Sequence, residues 1–254
     1  MERGMQRRTE LLLGEENLNR IQQAKVLIFG LGGVGSWCAE SLVRSGIRNI
    51  TIVDSDRICI TNCNRQLMAT SKTLGQVKVE ALRDRLLEIN PDANIVCLQK
   101  IYEAETADSF HMEEYDFIVD AIDSLKDKAD LILRATALPK HITFISSMGA
   151  ALRRDPFMVR KAEFWKVKGD PLAKAIRKKF KHLKVFPSRK FQCVYSEETP
   201  MQNMGINKAW DDQRLVEHEW CTAKAQINGS LCHITATFGM AITGMIINQI
   251  IDNH

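Results

Sequence analysis

Short apolar runs and amphipathic segments of helix length alternate along the first part of the chain. Residues 25–30 and 49–54 are apolar runs of strand length, and residues 34–45, between them, have the length of a helix. Gly46 follows that segment and suits the left-handed position just after a helix. The three segments together predict one βαβ unit of about thirty residues.

The same alternation continues through the first 150 residues. Val79, Leu82 and Leu86 fall on one face of a predicted helix over residues 78–90, which Pro91 ends. The other predicted elements are strands over residues 94–98 and 115–121 with a helix between them, a helix over residues 129–138 and a strand over residues 141–146. Strands that alternate with helices predict an α/β fold with a doubly wound, Rossmann-like, mostly parallel sheet.

The pattern then changes, and residues 151–254 predict a C-terminal α+β extension packed on the domain that residues 1–150 form. Strand-like pieces surround a basic helix in this extension. Asp170 suits the N-cap of that helix, and Pro171 suits its first position. The strand-like pieces cover residues 158–165 and 191–195.

The end of the extension contains a loop and an apolar segment. Residues 196–229 show little periodicity and predict a mobile loop. Residues 231–251 are apolar on all sides and about long enough to span a bilayer, which is also typical of a helix buried within a protein. The polar residues inside this segment favour a core helix, and we expect no association with a membrane.

The composition is that of an ordinary soluble globular protein, with 254 residues, 45% of them hydrophobic and 26% charged. The charged start of the chain is not followed by an apolar stretch, so no secretory signal is expected. The seven cysteines lack the spacing of a disulfide scaffold. We therefore predict a cytoplasmic location, where thiols stay reduced.

Positive charge is concentrated in the extension, although the net charge of the chain is only +4. Fourteen basic residues and three acidic ones lie between residues 153 and 190. Such asymmetry indicates a polyanionic partner. The alternative, a solvated basic helix face, stays open at this point.

A glycine-rich turn joins the first predicted strand to the first predicted helix. Gly30, Gly32 and Gly35 satisfy the pattern G-x-G-x-x-G, which lets the backbone approach a phosphate group at a helix N-terminus. Asp54, at the end of the second strand, is placed to accept hydrogen bonds from ribose hydroxyls. By itself this pattern is equally typical of a nicotinamide dehydrogenase.

Two cations and a carboxylate further along the chain favour ATP over a dinucleotide. Arg65 can make bidentate contacts to phosphate oxygens, and Lys78 can supply a point charge to the same triphosphate. Asp123, after the fourth predicted strand, suits Mg²⁺, which prefers one or two carboxylates together with phosphate oxygens. Each has a structural alternative: Arg65 and Lys78 could be surface charges, and Asp123 could cap the next helix.

These motifs, in this order, resemble those of the ubiquitin-activating-enzyme-like superfamily, and the resemblance runs from Arg8 to about residue 149. That superfamily includes the enzymes that activate molybdopterin and thiamine carrier proteins by adenylating a carboxylate. The resemblance implies that residues 1–150 are an ATP-binding adenylation domain with ATP and Mg²⁺ as cofactors and Asp123 as the metal ligand. It also implies a homodimer in which Arg8 reaches into the partner subunit's ATP site.

The resemblance extends to individual positions around the nucleotide. Ser124 stands where carrier-activating members usually have asparagine. The positions implied to contact the nucleotide are Gly30, Gly32, Gly33, Gly35, Asp54, Asp56, Asn62, Asn64, Arg65, Lys78, Asp123 and Ser124.

Segments of the extension resemble one branch of that superfamily, the tRNA threonylcarbamoyladenosine dehydratases. The segments are residues 170–178, 194–197 and 235–239. The carrier-activating relatives usually hold zinc with two Cys-x-x-Cys pairs, and this spacing does not occur in the sequence. No zinc is therefore expected.

The branch implies a reaction and a substrate. It implies ATP-dependent adenylation of the threonine carboxylate of N6-threonylcarbamoyladenosine in tRNA, followed by intramolecular cyclisation with net loss of water. Arg8, Arg65, Lys78 and Asp123 are the implied catalytic residues. The residues predicted to bind tRNA are Arg177, Lys178, Lys179 and Lys181.

Other partners and other functions stay open on the sequence. A cysteine desulfurase sulfur-relay protein is a further candidate partner, and Cys221 is a candidate thiol for a covalent step. The alternative enzymatic function is adenylation of the C-terminal Gly-Gly of a ubiquitin-like sulfur-carrier protein. A catalytically silent nucleotide-binding module and a nicotinamide oxidoreductase are the remaining alternatives.

Overall fold

One seven-stranded sheet organises the protein, as seen in a computed structural model that describes residues 2–205 and 228–252. The strands run in the order β3-β2-β1-β4-β5-β7-β6, and β6 alone is antiparallel to its neighbour. The strands are β1 (Lys25–Phe29), β2 (Asn49–Val53), β3 (Asn94–Leu98), β4 (Phe117–Asp120), β5 (Thr143–Ser147), β6 (Val159–Glu163) and β7 (Gln192–Ser196). The predicted doubly wound, mostly parallel sheet is thus confirmed, and its carboxyl edge is where such folds bind ligands.

Helices cover both faces of the sheet. They are α1 (Glu2–Met5), α2 (Arg7–Leu13), α3 (Glu15–Gln23), α4 (Gly35–Ser45), α5 (Lys78–Ile89), α6 (Leu125–Ala137), α7 (Pro171–Leu183) and α8 (Cys232–Asp252). Gly46 ends α4 in the left-handed conformation, with φ of 115°, as predicted. Helix α6 begins four residues earlier than predicted, because the Ser124 side chain accepts a hydrogen bond from the Asp127 backbone N–H and caps the helix.

The helix predicted between β3 and β4 is wrong. That connection forms only two 3₁₀ turns, Ala107–Phe110 and Met112–Glu114. The Thr106 hydroxyl accepts from the Glu103 N–H and donates to the Ile101 carbonyl, which offers the backbone an alternative to helical hydrogen bonds. His111 then takes a left-handed conformation, with φ of 46°, that separates the two turns.

The extension joins the same sheet as the first 150 residues. Strand β7 pairs with β5 in parallel, and β6 pairs with the outer side of β7. Asp170 caps α7 as predicted, since its carboxylate accepts the Ala173 N–H at 2.8 Å. The carboxylate also accepts the Gly149 N–H at 3.1 Å, which attaches the start of α7 to the carboxyl edge of the sheet.

Helix α8 packs along α4. Within the described ranges it is the helix that is long and apolar enough to cross a membrane, but one of its faces is buried in the core. Gly239 permits this contact, because a Cβ atom there would lie 2.6 Å from the Val34 carbonyl oxygen and 2.8 Å from the Cys38 nitrogen. The buried apolar side chains of α8 are Ile234, Phe238, Ile242, Ile246 and Ile250.

Candidate nucleotide-binding site

The glycine-rich turn lies between β1 and α4 at the carboxyl edge of the sheet. Gly30 has φ of 87°, and a Cβ atom on it would lie 2.7 Å from the Ala121 carbonyl oxygen. A Cβ atom on Gly35 would lie 1.8 Å from the Gly30 carbonyl oxygen, and one on Gly33 would lie 2.9 Å from the Thr235 side chain. At Gly32, in contrast, a Cβ atom would meet no atom within 4 Å. The turn is therefore closely packed at Gly30, Gly33 and Gly35. It is open at Gly32, where a phosphate group can approach the backbone.

Two carboxylates after β2 hold the Lys78 ammonium group. One oxygen of Asp54 accepts the Leu31 N–H at 2.7 Å, which ties this carboxylate to the glycine turn. The Lys78 Nζ atom lies 3.6 Å from the other Asp54 oxygen and 2.8 Å from an Asp56 oxygen. Because the Lys78 side chain is only 6% exposed, the alternative that it is a solvated surface charge is wrong.

Arg65 lies half-buried near Asp123. Its guanidinium donates to the Thr61 carbonyl at 2.9 Å and to the Asn64 side-chain oxygen at 2.8 Å. Burial lowers the pKa of the Arg65 guanidinium below its ordinary value, and the negative charge of Asp123 opposes that shift. Arginine stays charged through such a shift, so the site contains a cation beside a carboxylate.

Asparagine side chains shape the segment that carries Arg65. The Asn62 side-chain oxygen accepts the Cys59 N–H at 3.0 Å, and its carbonyl accepts the Arg65 N–H at 3.0 Å. Asn64 donates to the Ser230 carbonyl at 3.0 Å, which connects this segment to the residues before α8. Both asparagines thus fix the backbone around Arg65, and their contact with nucleotide remains a prediction.

A buried ion pair underlies the turn that carries Asp123. Asp120 and Lys128 are both fully buried, with 2.8 Å between the Lys128 Nζ atom and an Asp120 oxygen. The same Asp120 oxygen accepts the Ile122 N–H at 3.1 Å, and the other oxygen accepts the Ser146 hydroxyl at 2.6 Å. Lys128 also donates to the Ile122 carbonyl at 3.0 Å. The burial of Lys128 was not predicted from the sequence, because nothing local marks a lysine in an amphipathic helix as buried.

The side chains that end this turn differ in exposure and in role. Asp123 is exposed at the carboxyl edge. Ser124 caps α6 and donates its hydroxyl to the Asp127 carboxylate at 2.6 Å, so Asp123 is not the helix cap that the alternative required. The position of Ser124 next to the nucleotide stays a prediction.

The carboxylate Asp123 fits a Mg²⁺ ion that is shared with phosphate oxygens. Among the residues that the structure describes, no group of three or more His, Cys, Asp or Glu side chains could hold a metal. A hard cation with one carboxylate and several phosphate oxygens needs no such cage.

Two of the cysteines in the described ranges, Cys38 and Cys193, are buried. Burial raises the pKa of the Cys193 thiol well above its ordinary value and that of Cys38 to about 12. Both groups are therefore held as neutral thiols. Cys221, the candidate for a covalent step, lies outside the described residues.

Arg8 lies on α2 and lines a groove between α2, α4 and α8. The groove has a volume of about 800 Å³. Trp37, Arg44, Met240 and Ile251 line it together with Arg8. Leu11 and Leu12, on the same short helix, are exposed apolar side chains. Arg8 is thus placed at an apolar surface rather than among the contacts around Arg65 and Lys78.

The four basic residues predicted to bind tRNA all lie on α7 but differ in their environment. Lys178 and Lys181 are exposed, and Lys179 is half-buried. Arg177 donates to the Phe164 carbonyl at 2.9 Å and to the Val167 carbonyl at 3.0 Å. Its guanidinium therefore attaches α7 to the preceding segment.

Comparisons with known proteins agree with this geometry. The model of the ThiF family matches residues 5–252. A tRNA threonylcarbamoyladenosine dehydratase of Bacillus subtilis is 38% identical over 194 residues, which cover 76% of this chain and 75% of the relative. One of Haemophilus influenzae is 33% identical over 244 residues, which cover 93% of this chain and 89% of the relative. The solved structure of the Escherichia coli tRNA N6-threonylcarbamoyladenosine dehydratase in complex with ATP has a TM-score of 0.81 and 28% identity, and covers 98% of this chain and 94% of that chain. The glycine turn, the carboxyl-edge cluster and the match along nearly the whole chain lead to one conclusion: this protein belongs to the ThiF family.

Proposed function

We propose that this protein is an ATP-dependent tRNA threonylcarbamoyladenosine dehydratase. It adenylates the threonine carboxylate of N6-threonylcarbamoyladenosine in tRNA and then closes that group into its cyclic form. The observations that support the proposal lie at the carboxyl edge of the sheet: the glycine turn is open at Gly32, Lys78 is buried against Asp54 and Asp56, and Arg65 lies near Asp123. This set of charges suits a complete triphosphate rather than a dinucleotide.

The first chemical step is attack of a threonine carboxylate oxygen on the α-phosphorus of ATP, with pyrophosphate as the leaving group. Arg65, Lys78 and the backbone N–H groups of the glycine turn would hold the triphosphate and neutralise the charge that develops on it. Asp123 would bind Mg²⁺, which supplies further electrostatic stabilisation to the phosphate oxygens. Lys78 would exchange part of its contact with Asp56 for phosphate, since Asp56 is largely exposed.

The second step is intramolecular. The carbamoyl group next to the activated carboxyl attacks its carbonyl carbon, the ring closes, and AMP leaves while a proton passes to solvent. Neither bond change requires a protein thiol, and the described cysteine nearest the centre of the sheet, Cys193, is a buried neutral group. We therefore assign the protein a positioning and charge-stabilising role in cyclisation.

The apolar groove beside Arg8 supports a homodimer. Leu11 and Leu12 expose large apolar side chains beside the groove. A second copy of the chain, related to the first by a two-fold axis, would bury this surface. It would also carry Arg8 to the partner subunit's triphosphate.

We also propose a cytoplasmic location. A cysteine desulfurase sulfur-relay protein is a candidate partner, and co-purification from the native host would test this association.

Nucleoside mass spectrometry tests the reaction. tRNA that carries threonylcarbamoyladenosine is incubated with the protein and Mg-ATP, then digested and analysed. We expect a nucleoside lighter by one water that forms only with ATP and does not form with Arg65→Ala. Unchanged tRNA together with pyrophosphate exchange on a Gly-Gly-tailed carrier would instead support the sulfur-carrier function.

A further inference from the structure

An exposed apolar surface lies at the C-terminal end of α7 and shares no residue with the groove beside Arg8. Trp165 is 39% exposed and Phe186 is 54% exposed, and their ring centroids lie 6.2 Å apart with the planes tilted by 46°. Leu183 and Val185 are exposed beside Phe186 in the chain. We call these four residues the aromatic platform. Contiguous exposed apolar surface of this kind marks a site of interaction.

The chain segment that carries the aromatic platform is strongly cationic. Between residues 164 and 196 the one acidic residue is Asp170, which is 2% exposed and caps α7. Every exposed charge in this stretch is therefore positive. Lys166 and Lys184 are exposed and directly flank platform residues in the chain, and the exposed Lys181 precedes Leu183 by two positions.

Flat apolar rings surrounded by lysines match one class of partner best. A single-stranded nucleic acid presents bases that stack on aromatic side chains and phosphates that pair with lysine. An ordinary protein surface mixes both signs of charge and would leave much of this positive charge unpaired.

Helix α7 connects the platform to the candidate nucleotide site. Its first turn is held at the carboxyl edge of the sheet through the contact between Asp170 and Gly149. The 13 residues of α7 then run away from that edge, over about 20 Å at the usual helical rise. Lys174, Lys178 and Lys181 are exposed at spacings of four and three residues, which places them on one face of the helix.

We propose that Trp165 and Phe186 stack on an unpaired base of the tRNA while the lysines on α7 bind its phosphates. This inference rests on the proposed function, because the tRNA is held with its modified adenosine at the carboxyl edge. At roughly 3.4 Å per nucleotide of one stacked strand, the base on the platform lies about six nucleotides from the reacting one. If the strand is extended rather than stacked, fewer nucleotides span the same distance.

The test compares tRNA binding of matched variants over a series of salt concentrations. Trp165→Ala/Phe186→Ala is expected to weaken binding at least tenfold with an unchanged salt slope, because stacking releases no counterions. Lys178→Ala/Lys181→Ala is expected to lower the salt slope by roughly 1.5. Phe157→Ala, which removes an aromatic side chain that is 84% exposed elsewhere in the extension, is the matched control and is expected to bind like the wild type.

Two further measurements separate stacking from loss of structure. Trp165→Phe keeps a flat ring and is expected to retain affinity, while the quenching of tryptophan fluorescence by tRNA falls. ATP affinity of each variant is expected to stay unchanged, since the platform lies at the opposite end of α7 from the nucleotide site.

Each outcome decides a different point. Wild-type affinity in Trp165→Ala/Phe186→Ala, with the lysine variant still weakened, overturns the platform and leaves the proposed function intact. Loss of binding to anionic lipid vesicles but not to tRNA in the same variant assigns the platform to a membrane surface and also overturns the inference. No tRNA binding by a wild-type protein that binds ATP contradicts the proposed function itself.

Discussion

The buried ion pair of Asp120 and Lys128 is expected to contribute strongly to the stability of the fold. Lys128→Met removes the cation and keeps the length of the side chain, but leaves a carboxylate that is 0% exposed without its counter-charge. Removing one partner of a buried ion pair costs about 3–5 kcal/mol, a large share of the roughly 5–15 kcal/mol that stabilises a typical protein. For a chain of this size the melting temperature should fall by roughly 6–20 °C.

Urea unfolding and thermal melts of three variants measure this cost. Lys128→Met is expected to lose the full stability of about 3–5 kcal/mol. Asp120→Asn/Lys128→Met buries no charge and is expected to recover a substantial part of the stability. Arg85→Met, which breaks the pair between Arg85 and the buried Glu40 on α5 and α4, is the matched control for loss of an ion pair away from the turn.

A second measurement asks whether the pair also positions Asp123. Lys128 holds the Ile122 carbonyl, so its loss should let the following residue, Asp123, move. ATP affinity in Mg²⁺ should therefore fall in both Lys128 variants, while ATP affinity in EDTA stays near that of the wild type. Arg85→Met should show no such split. An unchanged denaturation midpoint in Lys128→Met would refute the assigned energy, and an unchanged Mg²⁺ effect would refute the positioning.

Three further predictions address the glycine turn, the dimer and the thiols. Gly35→Ala should fail to fold or lose several kcal/mol, because its Cβ atom would lie 1.8 Å from a carbonyl oxygen, whereas Gly32→Ala should melt like the wild type and bind ATP more weakly. If Arg8 acts in the partner subunit, inactive Arg8→Ala and Arg65→Ala chains refolded together should recover about a quarter of wild-type activity, and if it acts within its own chain the mixture should stay inactive. Cys193→Ala should retain turnover, and Cys193 should resist alkylation at neutral pH because burial raises the pKa of its thiol; rapid labelling of the folded protein would contradict this.

The chain by itself determined the features that depend on neighbouring residues. The βαβ unit, the glycine turn and the left-handed Gly46 follow from periodicity and local backbone sterics, and the structure confirms them. The cap of α7 at Asp170 is equally local, since its hydrogen bond spans three residues. Such contacts recur whenever the short sequence recurs, so a pattern can predict them.

Tertiary structure alone decided which charged side chains are buried or bonded to the protein backbone. Lys128 is buried because Asp120 on β4 and the Ile122 carbonyl in the following turn accept its hydrogen bonds, while Ser146 on β5 donates to the other oxygen of Asp120. Arg177 looked like its lysine neighbours in the sequence, yet it bonds the backbone of the segment before α7. Burial of a charge depends on partners that are distant in the chain, because the cost of desolvation is offset only where several elements meet. Periodicity within one segment holds no information about those distant partners.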